Sequence, residues 1–121
     1  MAYSVANFRM RFAKFSNHWS PKIIAQMNDY QFKLVKFQGD FVWHKHVETD
    51  EIFIVLEEEM EIEFRDGKIT LQSGEMDVVP KSAEHKPLAQ REWKILLVEP
   101  MDTINTGDTD DELTADTDIW I

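Results

Sequence analysis

The chain has 121 residues, 43% of them hydrophobic and 30% charged, which suits one packed domain spanning residues 1–121. It has no cysteine, which excludes disulfides and thiolate metal sites, and a formal net charge of −10, which disfavours nucleic-acid binding for want of a basic stripe. Seven acids (Asp102, Asp108, Asp110, Asp111, Glu112, Asp116 and Asp118) fall within residues 101–121 without a Lys or Arg, so that end reads as a solvated, acid-rich segment.

The opening "MAYSVANFRMRFAKF" has no continuous apolar core like a signal peptide. No stretch approaches the roughly 20 apolar residues of a membrane helix, so no membrane partner and a cytoplasmic location are expected. Val5, Phe8, Phe12, Phe15 and Trp19 recur at three- and four-residue spacing, predicting a short amphipathic helix over about residues 5–18. "SPK" at 20–22 then redirects the chain.

From residue 22 to about 100 the texture is that of strands. "KIIAQM" (22–27), "YQFKLVKF" (30–37), "FVWHKH" (41–46) and "EIFIVL" (51–56) are rich in β-branched and aromatic residues and broken by turn formers. "MEIEFRDGKITL" alternates Met60, Ile62 and Phe64, turns at Asp66-Gly67 and resumes with Ile69 and Leu71, predicting a hairpin with a primed turn. "GEMDVVP" (74–80) and the nearly all-apolar "WKILLVEP" (93–100) complete about eight strands. Many short strands in one small chain predict an all-β closed antiparallel barrel or jelly roll with a short N-terminal helix.

Two of the four histidines, His44 and His46, are two residues apart, so on a strand both would project from one face. Glu51 opens the next strand, and His85 lies five residues past the strand that ends at Pro80. Three imidazoles and one carboxylate suit Fe, Mn, Co, Ni, Cu or Zn and not Mg or Ca. Glu48 and Asp50 flank Glu51 as competing carboxylates, while His18, near Trp19, reads as a surface or packing residue. Trp43 and Trp93 read as core aromatics. "DTDDELTADTD" lacks the glycine and terminal glutamate of a calcium loop.

These residues resemble a known family. Gly39, His44, His46 and Glu51, followed after an intervening stretch (59–73) by Gly74, Pro80 and His85, are similar to the double motif of the cupins, in particular the small "cupin 2" proteins loosely described as mannose-6-phosphate-isomerase-like. The resemblance implies a double-stranded β-helix with a divalent transition metal inside its mouth, held by His44, His46, Glu51 and His85. It departs from the motif at Gly39, one residue closer to His44, and at Glu58 and Ser82, which stand where glycines are usual. Ala89 stands where some members have Asn.

The function so implied is a metal-dependent enzyme, a dioxygenase or a sugar-type isomerase, acting on a small oxygenated molecule. A non-catalytic binder or sensor using the same pocket, and an oligomerisation module with a vestigial site, are the alternatives. Tyr30, Lys33, Lys36 and Glu99 are all candidates for a general base. Cupins are commonly dimers, so a homodimer is expected.

Overall fold

The computed structural model describes residues 3–121. A short helix α1 (Phe8–Phe12) precedes seven strands: β1 (Lys22–Met27), β2 (Tyr30–Asp40), β3 (Glu51–Glu57), β4 (Glu59–Phe64), β5 (Gly67–Gln72), β6 (Met76–Val79) and β7 (His85–Pro100). All pairings are antiparallel, in the order β1-β2-β7-β3-β6, with β4 joining β5 and β7. The 16-residue β7 is the spine. Its C-terminal half runs between β2 and β3, and its N-terminal half pairs with β4 and with the end of β2.

Strand alternation sorts the apolar residues onto two faces. Val35, Phe53, Val55, Trp93, Ile95 and Leu97 fill the interior together with Met60 and Ile62. Leu34 and Leu96, even-numbered neighbours of Val35, Ile95 and Leu97, point outward and are covered by Phe12 of α1 and by Ile24. The all-β reading with a short N-terminal helix therefore holds.

Four local expectations are corrected. The helix is five residues long, not about fourteen. The Asn7 side chain caps it by accepting the Met10 N–H at 3.0 Å, Ala13 ends it, and Val5 is left 91% exposed. Trp19 leaves the helical register because its indole is drawn into the barrel, with its backbone at φ 62°. The segment between β2 and β3 also differs. Residues 41–46 form no strand, and His44 makes only an isolated bridge to His85.

The reason lies in where that segment's backbone bonds go. His44 exchanges two with His85, Lys45 O accepts from Asp108 N, and His46 O accepts from Ser82 N. Three different elements share the work of one ladder, so no regular strand results.

In the hairpin, Phe64 pairs with Gly67, so the two-residue turn is Arg65-Asp66. Neither residue has positive φ, and the turn is not of the primed type. The segment after β7 also departs from a free, solvated end. Its acids are mostly exposed, but Thr106 is buried, Ile23 N donates to Ile119 O, and Ile121 N donates to Ile23 O. The acid-rich segment is thus packed along the barrel, with its carboxylates turned to solvent.

Candidate metal centre

The four residues singled out by the sequence come together. One donor atom from each of His44, His46, Glu51 and His85 lies within 4.8 Å of the others, and all four residues are buried. Glu51 is the first residue of β3 and His85 the first of β7, while His44 and His46 come from the irregular segment stitched beside His85. Glu48 is exposed and lines an outer groove; Asp50 accepts the Lys81 N–H through its carboxylate. Neither competes with Glu51. His18 is at the surface, 2.7 Å from Glu92.

Hydrogen bonding fixes the orientation of two imidazoles. His44 Nδ1 lies 2.9 Å from the Val42 carbonyl and His85 Nδ1 lies 2.9 Å from the Ala83 carbonyl. A carbonyl only accepts, so Nδ1 carries the hydrogen and Nε2 presents its lone pair. His85 Nε2, His46 Nε2 and Glu51 Oε1 are buried and have no hydrogen-bond partner. His46 Nε2 stands 3.4 Å from Glu51 Oε2 and His85 Nε2 stands 3.6 Å from Glu51 Oε1. Buried polar atoms that converge without bonding one another are costly unless something between them accepts their lone pairs. A divalent ion fits that donor set, and these four residues could hold one.

The electrostatics agree. Burial and the neighbouring His85 lower the His44 pKa to about 4, so His44 is neutral and ready to ligate at neutral pH. Burial works against the charged form of His46, but the Glu51 carboxylate outweighs it and raises the pKa. Burial likewise opposes ionisation of Glu51, yet His46 and His85 hold it well below the usual carboxylate range. The site therefore presents an anion surrounded by imidazoles.

Sequence reasoning did not find the charged pair beneath this centre. Lys33 Nζ donates to Glu99 Oε1 at 2.9 Å, with the two side chains 1% and 0% exposed. Ile52 pairs with Val98, which sets Glu99 opposite Glu51 on the adjoining strand. Burial and the Glu51 charge push the Glu99 carboxyl well above its ordinary range, against the pull of Lys33. The signal was present in "FKLVKF" and "LLVEP", where a Lys and a Glu interrupt apolar strands at inward-facing positions. Of the other base candidates, Lys36 donates to the Phe15 carbonyl at 2.6 Å and Tyr30 is 42% exposed on an open groove beside His46.

Two spaces adjoin the centre. On the His46 side is an open groove of about 630 Å³ whose rim includes Tyr30, Lys45, Met101 and Asp108. On the His44 and Glu51 side is a small cavity of about 20 Å³, lined by Trp19, Phe37, Phe41 and Leu97. That is room for about one water.

A β-helical barrel carrying three histidines and a glutamate at its mouth defines a cupin-type site. The comparisons agree. No protein-family model matches the chain. A cupin-2 domain containing protein from Shewanella frigidimarina NCIMB 400 is 60% identical, with a TM-score of 0.79 over 79% of this chain and 94% of that one. Protein NMB1881 from Neisseria meningitidis is 36% identical, with a TM-score of 0.74 over 80% of this chain and 99% of its own. The Bacillus subtilis (strain 168) protein YdbB, itself uncharacterized, is 38% identical over 64 residues, 52% of this chain and 57% of YdbB, so the match spans little more than half of that curated relative. The chain belongs to the cupin-2 domain proteins. Among the described residues no helix is long and apolar enough to cross a membrane.

Proposed function

We propose that this protein is a metal-dependent enzyme acting on a small oxygenated molecule, with His44, His46, Glu51 and His85 holding one divalent transition metal (Fe, Mn, Zn, Ni, Co or Cu). The observation that carries this reading is the convergence of His46 Nε2, His85 Nε2 and Glu51 Oε1, all buried and all without a hydrogen-bond partner. When bound, such an ion would polarise a substrate oxygen as a Lewis acid or, as iron, supply redox chemistry toward O₂, the two chemistries of an isomerase and a dioxygenase. The chain's own groups do the rest. The Val42 and Ala83 carbonyls hold His44 and His85 in the ligating tautomer, and the aromatic wall beside His44 keeps bulk water out.

Elemental analysis of the purified protein beside a His44→Ala/His46→Ala variant tests the reading. About one equivalent of a transition metal in the wild type, absent from the variant, is the expected result. Iron would direct assays to O₂ uptake, and zinc or manganese to isomerase substrates. No metal in either protein after reconstitution would reject the enzyme reading in favour of a non-catalytic small-molecule binder or sensor.

A cytoplasmic homodimer is the form in which we expect the protein to work. β1, β5 and β6 each pair with one strand only, and Met76 and Val78 of β6 are exposed apolar residues of the kind a second subunit covers. A monomeric mass by light scattering at micromolar protein would reject the dimer.

A further inference from the structure

Stability alone does not explain why Lys33 and Glu99 sit inside this barrel. The inward neighbours of the pair on β2 and β7 are Val35, Phe37, Ile95 and Leu97. Replacing a buried pair in such surroundings by apolar side chains is commonly neutral or stabilising. The pair stands instead directly behind a metal ligand, because the β3–β7 register sets Glu99 opposite Glu51. Glu99 is 0% exposed and Glu51 3%. Lys33 Nζ donates to Glu99 Oε1 at 2.9 Å, which leaves Glu99 Oε2 and Glu51 Oε1 as buried oxygens without a hydrogen-bond partner.

Two ionised carboxylates only accept hydrogen bonds, and facing one another in a dry interior they repel. The arrangement closes when Glu99 carries a proton and donates it to Glu51; burial and the Glu51 charge both favour that neutral form of Glu99. Gln31, paired with Glu99 across β2, bonds instead to Gln26, its Nε2 donating to Oε1 at 3.1 Å.

We propose that Glu99 is a positioning residue for the metal ligand Glu51: Lys33 clamps one Glu99 oxygen, and the other holds the Glu51 carboxylate turned toward His46 and His85. An ammonium that only donates thus orders a carboxyl, and that carboxyl orders the ligand. Glu51 is kept with its oxygens 3.4 Å from His46 Nε2 and 3.6 Å from His85 Nε2. Neither Lys33 nor Glu99 lines the groove beside His46 or the cavity beside His44, so neither touches a space that a substrate could enter. Both act through Glu51 and not as general bases. The effect on metal affinity rests on the reading above that these four residues hold an ion; the hold on Glu51 does not.

The test measures zinc affinity, by competition with a chromophoric chelator, for the wild type, Glu99→Gln and Lys33→Met/Glu99→Leu, each beside its urea unfolding. Glutamine keeps both contacts, its oxygen accepting from Lys33 and its amide donating to Glu51, so Glu99→Gln should bind zinc as the wild type does. The double variant should bind about 10–100-fold more weakly while keeping most of its stability. Loss of Lys33 also removes a positive charge, which by itself would tighten cation binding, so weaker binding reads the position of Glu51. A double variant that binds zinc as tightly as the wild type would overturn the positioning. Glu99→Gln binding much more weakly than the wild type would overturn the donor role of the second oxygen, and this variant decides the matter where the double variant does not fold. A wild type that holds no zinc would reject the metal reading, and crystal structures of the metal-free wild type and double variant then decide. A Glu51 carboxylate turned away from both imidazoles in the variant is expected there, and an unmoved one would overturn the proposal.

Discussion

His44 and His85 are joined by a reciprocal pair of backbone hydrogen bonds, His44 N to His85 O at 3.0 Å and His85 N to His44 O at 2.9 Å, and their rings lie 4.3 Å apart. This one bridge replaces the strand that the histidine pattern suggested. It brings two imidazoles separated by 41 positions close enough for His85 to penalise protonation of His44.

A pH dependence follows from that proximity. Burial and His85 lower the folded pKa of His44 from 6.5 to about 4. Between those values the unfolded chain binds more protons than the folded one, so stability falls as pH drops through the window. Urea unfolding of the metal-free protein should show the wild type losing about 2–3 kcal/mol more than His44→Gln between pH 7 and 4.5. Equal losses would mean that His44 titrates normally. His46, whose folded pKa is raised, has the opposite sign: its contribution is complete below 6.5 and is lost as pH rises through its folded pKa.

The Lys33–Glu99 pair predicts a strong asymmetry between single and double substitutions. Both side chains are essentially inaccessible and burial favours the neutral form of the Glu99 carboxyl, so Lys33→Met leaves that carboxyl without its hydrogen-bond donor and should cost about 1–3 kcal/mol. Lys33→Met/Glu99→Leu removes both polar groups from the same site and should recover most of that loss. Chemical denaturation of the three proteins measures it; a double variant no more stable than the single would show that the pair is not the source of the cost.

Glu58 and Ser82 stand where the family motif usually has glycine, and both are left-handed, at φ 68° and 67°. A β-carbon there is strained, so Glu58→Gly and Ser82→Gly should each stabilise by about 0.5–1 kcal/mol, net of glycine's greater entropy in the unfolded chain. Ser82 keeps its backbone bond to His46 O in either form. A fall in melting temperature for both variants would contradict the strain.

Gly107 is the opposite case. At φ +58° its missing β-carbon would collide with the Lys45 carbonyl and come within 3.1 Å of His44 Cδ2. Asp108 completes the clamp by accepting the Lys45 N–H at 3.1 Å. Gly107→Ala should therefore destabilise by about 2 kcal/mol and weaken metal affinity together, by pushing the acid-rich segment away from the histidines. Unfolding and metal titration of the variant check both; an unchanged affinity would mean that the clamp does not position His44.

The sequence by itself determined the strand-rich fold and the four converging residues. Apolar alternation decides which strand face is buried, and the histidine and glutamate positions were legible because the motif fixes their order and spacing. His44 and His46 were expected on a strand and are not, yet they still reach the centre, because His85, Ser82 and Asp108 each bind part of that backbone. Only the tertiary structure decided that Trp19 leaves its helical period to stack on Phe37 and Phe41, that Lys33 and Glu99 hydrogen-bond one another 66 positions apart, and that Asn105 and Gly107 draw an acidic segment over the site. Each of these rests on contacts between residues far apart in the chain, whose partners no local periodicity or spacing encodes.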